Sequence, residues 1–151
     1  MLTSSRNSPL DDLYLPFFTA QWKSELRSQT HAQALPQGAR DGAVIINHLR
    51  QFFGDTPDLS EDLVSTSHFS CTVDGRSLIV WVHWYDQELK EFNMEQVGAY
   101  WMHLEKDLAD FRCFYRNLLD DAVGTRLDKI KRVIARPQGE PTSAKAKRKR
   151  A

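Results

Sequence analysis

Long apolar runs are missing from this 151-residue chain. None approaches the roughly 18 residues that a membrane-spanning helix needs. The opening stretch, Met1 to Pro9, is polar and lacks the apolar block of a secretory signal, so a soluble intracellular protein is expected. Cysteine is scarce as well. Cys71 and Cys113 sit in apolar segments without metal-ligand spacing and are too few to staple a secreted scaffold. Reduced core thiols are the expectation. There is no Walker loop, no GxGxxG and no GxSxG, which removes the common nucleotide folds and the α/β-hydrolases. The five histidines (31, 48, 68, 83 and 103) form no HExxH, and structural or surface roles suit them better than a zinc site.

Net charge is also absent, but the zero conceals an asymmetry. Residues 126 to 151 hold ten Lys/Arg against Asp128 and Glu140, a net of +8, and residues 1 to 125 balance this with −8. An acidic body with a basic end argues against a broad nucleic-acid surface on the body itself.

What is present is enough apolar material, 41% of residues, for one domain. Leu15 to Glu25 reads as a short apolar strand closing on a polar trio. Alternation puts Gln21, Lys23 and Glu25 on one face and Ala20 and Trp22 on the other. An amide oxygen, an ammonium and a carboxylate could hold a metal ion and a phosphate; a solvated strand end is the simpler reading of the same spacing. Ser28 to Gly38 reads as a loop. From Ala39 the positions 39, 43, 46, 49, 52 and 53 give a helical stripe, with Gly54 as its stop and Pro57 barring continuation.

His68–Val73 and Ser77–Tyr85 flank Asp74-Gly75, a hairpin signal of the type I′ kind, and the second strand is apolar on both faces. Residues 92–102 suit a strand bulged near Gly98 better than a helix. Leu108, Phe111, Tyr115, Leu118 and Leu119 mark a helix capped by Asp107, and a second helical piece with cations at 126, 129, 131 and 132 follows Gly124. Trp22, Trp81, Trp84 and Trp101 are able to stack on bases, although core packing is the commoner use. The expected architecture is α/β, a mixed β-sheet of about four strands flanked by helices. Residues 1–12 are read as a disordered N-terminus, 13–136 as the domain and 137–151 as a flexible basic tail.

The segments Phe17-Phe18-Thr19-Ala20-Gln21-Trp22-Lys23-Ser24, Gln37-Gly38-Ala39-Arg40-Asp41-Gly42-Ala43, His68-Phe69-Ser70 and Trp81-Val82-His83-Trp84 together resemble fungal domains assigned to the PD-(D/E)XK nuclease superfamily. The resemblance spans about Pro16 to Ile134 and implies a restriction-endonuclease-like core. It also implies metal-dependent phosphodiester hydrolysis, or binding of DNA or RNA by a catalytically inert or protein-interaction derivative. By the same resemblance Lys23 matches the motif lysine, Gln21 the acid before it, and Asp12 the first acid, with Asp11 or Glu25 as substitutes. Asp12, Gln21 and Glu25 would then hold Mg²⁺. The chain reads as an N-terminally shortened member. In the tail, Lys147, Arg148, Lys149 and Arg150 are expected to contact phosphates or direct the protein to the nucleus, the cytoplasm being the other compartment considered.

Overall fold

A computed structural model describes residues 15–23, 30–54, 56–60 and 62–135. Asp11, Asp12, Glu25 and the 137–151 tail therefore lie outside the described residues. The elements run β1 (Phe18–Trp22), α1 (His31–Phe53), α2 (Pro57–Ser60), α3 (Leu63–Thr66), β2 (His68–Val73), β3 (Ser77–Asp86), β4 (Glu91–Trp101), α4 (Glu105–Asp121), a π-helical turn (Ala122–Arg126) and α5 (Leu127–Ile134). The four strands form one mixed sheet in the order β1-β2-β3-β4, with β1 parallel to β2 and the other pairs antiparallel. An α/β protein with a four-stranded mixed sheet is the architecture expected.

Parallel pairing of β1 with β2 requires a crossover, and α1 supplies it. Of the expected stripe Ile46, Leu49 and Phe53 are buried, Ala43 and Phe52 are half-buried, and the helix starts earlier than expected. The residues it buries are Ala34, Gly38, Gly42, Ile46, Leu49 and Phe53, whereas Ala39 faces solvent. The helix begins at His31, so most of the expected loop is helical despite Pro36, which would cost an isolated helix about 3 kcal/mol. One local contact and two long-range ones oppose that cost. The Thr30 backbone N–H donates to the Gln33 side chain (3.2 Å), and His31 is tied to Thr72 and Ser77 on the hairpin. Gly54 ends the helix as expected, but at φ −55° it is right-handed and does not use its left-handed freedom. The following Pro57 opens the short α2.

Each sheet face carries its own core. On one, Ile46, Leu49, Phe53 and Leu59 pack with Leu15, Tyr85, Ile130 and Val133. On the other, Cys71, Val73, Leu78 and Val80 pack with Phe18, Phe69, Tyr100 and the α4 rings Phe111 and Phe114. Side chains buried this fully contribute roughly 1.5–3 kcal/mol each. β3 is the central strand covered on both faces that its sequence announced. The bulge lies where β4 is expected to irregularise: Trp81 pairs with Gln96 and Val80 with Gly98, so Val97 is the extra residue.

Three local expectations are corrected. Asp74 and Arg76 are not at positive φ, so the hairpin does not turn by type I′. Instead Asp74 Oδ1 accepts from the backbone N–H groups of Arg76 (2.9 Å) and Ser77 (2.7 Å), a side-chain-built turn. Asp107 lies in the first turn of α4 rather than at its cap, and its Oδ2 accepts from the Trp101 N–H at 2.8 Å. The second helical piece expected after Gly124 is α5, which a π turn joins to α4. Cys113 is exposed; only Cys71 is a core thiol.

Candidate functional site

Among the described residues β1 sits at the sheet edge, and Gln21 and Lys23 at its end present their side chains to α1. Gln21 is 6% exposed on the α1 face. Its Nε2 donates to Asp41 Oδ2 at 3.5 Å, a contact at the outer limit of hydrogen bonding, and its Oε1 is buried without a partner among the described residues. A Cβ on Gly38 would stand 3.4 Å from that oxygen, an ordinary van der Waals contact, so α1 lies close to the amide here without depending on the glycine. Lys23 extends the ladder one step beyond β1, its N–H donating to the Val73 carbonyl at 2.9 Å. Its Nζ donates to Gln37 Oε1 at 3.1 Å. Gln21, Lys23, Gln37 and Asp41 thus meet at the open end of β1. Gln37 and Asp41 stand one helical turn apart on α1, and reading 28–38 as a loop hid that phase.

A buried polar layer continues from this end beneath α1. Ser70, Thr72, His68 and His83 are at most 2% exposed, and every one lies on the same sheet face as Gln21. His68 Nε2 hydrogen-bonds Thr19 Oγ1 (2.9 Å), and His83 Nε2 hydrogen-bonds Ser70 Oγ (2.7 Å). Their rings lie 5.9 Å apart. Burial pushes the His68 pKa down to about 3, with repulsion from His83 and Arg126 adding to it and the Pro16 carbonyl opposing it. Burial alone brings His83 down to about 4. Both rings are neutral at physiological pH. Gly42 is what makes room for them, since a Cβ there would fall 2.2 Å from His83 Nδ1.

At the hairpin end, Trp81 Nε1 donates to Thr72 Oγ1 (3.0 Å), which in turn bonds His31 Nδ1 (2.9 Å). His31 Nε2 meets Ser77 Oγ at 2.8 Å and Asp74 Oδ2 at 3.1 Å. Burial would raise the Asp74 pKa, but the N–H groups of Arg76 and Ser77, the Ser77 hydroxyl and His31 outweigh it and hold the carboxyl below its usual value. Serine and aspartate occupy the same ring nitrogen here. A nucleophilic triad needs them on opposite nitrogens, so this set anchors α1 to the hairpin and is not a relay.

Magnesium prefers near-octahedral oxygen ligation with one or two carboxylates. Among the described residues Asp41 is the one carboxylate contacting Gln21, and Gln21 turns its amino group, not its oxygen, toward it. No group of three or more His, Cys, Asp or Glu among the described residues has the geometry to hold a metal. These residues alone therefore do not fit a magnesium ion. Gln21 and Lys23 each meet α1, at Asp41 and Gln37 respectively; Asp12 and Glu25 lie outside the described residues.

Other expectations shift with the fold. Arg126 is not on a freely solvated face: it is half-buried, donating to the Ser67 and Pro16 carbonyls at 3.3 Å each, and desolvation lowers its pKa. Lys129 pairs with Asp62 (2.9 Å) and Arg132 with Asp58 (3.1 Å). Hence Arg126 and Lys129 tie this region to the rest of the fold, while the Arg132–Asp58 pair is exposed and contributes little. The tryptophans are less buried than core packing implies, with Trp22 72% and Trp101 52% exposed. A surface groove of about 280 Å³ runs along Phe111, Tyr115 and Leu119 of α4, on the sheet face opposite Lys23.

No helix among the described residues is long and apolar enough to cross a membrane. No curated protein and no solved structure matches the chain. The family model described as a domain of unknown function, DUF7924, matches residues 2–134. That match covers most of the chain and stops at the end of α5, and the protein belongs to this family.

Proposed function

We propose that this protein is a nucleic-acid-binding domain with a restriction-endonuclease-like core, contacting the phosphate backbone through Lys23 at the open end of β1. The observation that carries the reading is the Lys23–Gln37 contact at 3.1 Å. It joins in space two segments, Phe17–Ser24 and Gln37–Ala43, that carry the resemblance to PD-(D/E)XK nucleases in sequence. A lysine ammonium has three donors. Gln37 takes one, which leaves two for phosphate oxygens, and Gln37 holds the stem while doing so. The neutral Gln21 and the reversed amide beside Asp41 favour binding over cleavage.

Binding of labelled oligonucleotides by the full chain, measured across a salt series with and without Mg²⁺, tests this. Affinity is expected to fall linearly in log K with log salt, to weaken in Lys23→Ala, and to be indifferent to Mg²⁺. Mg²⁺-dependent cleavage lost in Lys23→Ala would replace the binding reading by the catalytic one, with Asp12 or Glu25 completing the metal site. No binding of any nucleic acid at low salt would leave a protein-interaction module. The basic tail, Lys147 to Arg150, adds phosphate contacts in this reading and directs the protein to the nucleus.

A further inference from the structure

The tryptophan beside Lys23 belongs to neither core cluster of the described residues. Trp22 is the most exposed large hydrophobic side chain among the described residues, at 72%. It is not on a frayed end, for it pairs with Val73 and the ladder continues through the Lys23 N–H. Its exposure follows from how α4 crosses the sheet. Phe111 packs on Tyr100 of β4, Phe114 on Phe69 of β2 and Tyr115 on Phe18 at the start of β1. The helix therefore runs diagonally and leaves one corner bare, where Ala20 and Trp22 are both exposed. Ala20 is small enough to leave the ring beside it unobstructed.

Trp22 and Lys23 are consecutive on an edge strand, so the indole and the ammonium project to opposite sides of one narrow rim. A duplex cannot use both, because its bases are stacked and its charge is dense, about one phosphate charge per 1.7 Å of axis. It would also meet a body that carries −8 over residues 1–125. A single strand has free base faces, lower charge density and a backbone able to bend over an edge.

We propose that Trp22 is a base-stacking platform and that the ligand of this site is single-stranded nucleic acid, a base resting on the Trp22 ring while the adjoining phosphate meets Lys23. This rests on the nucleic-acid reading of Lys23 and names the strandedness of its ligand.

The test compares a single-stranded and a duplex oligonucleotide of equal length against the full chain, Trp22→Ala, Trp22→Phe and Lys23→Ala, all at one low salt concentration. Stacking predicts tighter binding of the single strand, roughly 5- to 100-fold weaker binding in Trp22→Ala and partial rescue by Trp22→Phe. Thermal melting should be unchanged in both variants, since an exposed ring supports no core. Lys23→Ala should weaken both ligands. Equal affinity for both strand forms with Trp22→Ala unaltered would overturn the stacking role while leaving the phosphate role of Lys23 intact. Loss in Lys23→Ala on duplex alone would also overturn it. Failure to bind either ligand would remove the nucleic-acid reading itself, and Trp22 would then mark a protein-docking corner.

Discussion

Acidification should destabilise this fold well before its carboxylates protonate, because two neutral histidines are sealed under α1. The native pKa values of about 3 for His68 and about 4 for His83 lie far below the ordinary 6.5. Both are depressed, so below pH 6.5 the unfolded chain binds protons that the native state refuses. Their contribution is complete above pH 6.5, declines as pH falls, and levels off once the native values are passed. Each ring contributes a slope of about 1.4 kcal/mol per pH unit inside that window. Moving from pH 7 to pH 5 crosses about 1.5 units for both rings, a loss of roughly 4 kcal/mol. That is a large part of the roughly 5–15 kcal/mol that holds a typical domain, and corresponds to a melting temperature lower by roughly 8–16 °C.

The lowered carboxyls of Asp62 and Asp74 act in the same direction, but only as pH falls through their ordinary value of 3.8 and below. The interval from 6.5 to 5 therefore isolates the imidazoles. Urea titrations at pH 7.5, 6.5, 5.5 and 5.0 read the slope, and the double variant His68→Gln/His83→Gln should flatten it even if its absolute stability is lower. A wild-type stability constant between pH 7.5 and 5 would refute the burial argument.

Gly42→Ala should be among the most disruptive single-methyl changes, because the new Cβ would sit 2.2 Å from the His83 ring and must push α1 off the sheet. A loss of about 1–3 kcal/mol or more in urea unfolding is expected, and an unchanged midpoint would count against the close helix–sheet approach. Gln21→Met removes the orphaned buried carbonyl at similar length, so stability should be unchanged or higher by about 1 kcal/mol; a marked loss would show that the amide has a native partner. Burial pushes the Cys71 thiol up to about 12, whereas Cys113 is exposed. Iodoacetamide should therefore label one cysteine in native protein and both in urea, as counted by mass spectrometry, and native labelling of Cys71 would contradict its burial. Removing residues 137–151 should shallow the salt dependence of oligonucleotide binding without altering the preference for strand form.

Much of the frame was legible because it rests on short-range rules. The alternation in His68–Val73 and Ser77–Asp86 fixes strands whatever surrounds them, and the doubly apolar β3 could only be central. Alternation likewise put Gln21 and Lys23 on one face before any partner was known. The start of α1 was not legible, since Pro36 and a polar run outweigh helix propensity locally. Contacts from His31 to residues more than forty positions away reverse that local preference.

Tertiary structure also decided which glycines matter. Gly42 looks like a weak helix residue in the chain, yet it is the place where α1 lies directly on the His83 ring. It decided the fate of the charges, drawing Arg126 inside while Lys129 and Arg132 pair with acids far away in sequence. And it decided the tryptophans. Composition gives an aromatic ring a strong bias toward the core, but only the diagonal path of α4 determines which corner is left uncovered, and Trp22 stands there beside Lys23. Periodicity is a property of neighbours along the chain, so sequence carries it; coverage depends on where a distant helix crosses, and no local pattern encodes that.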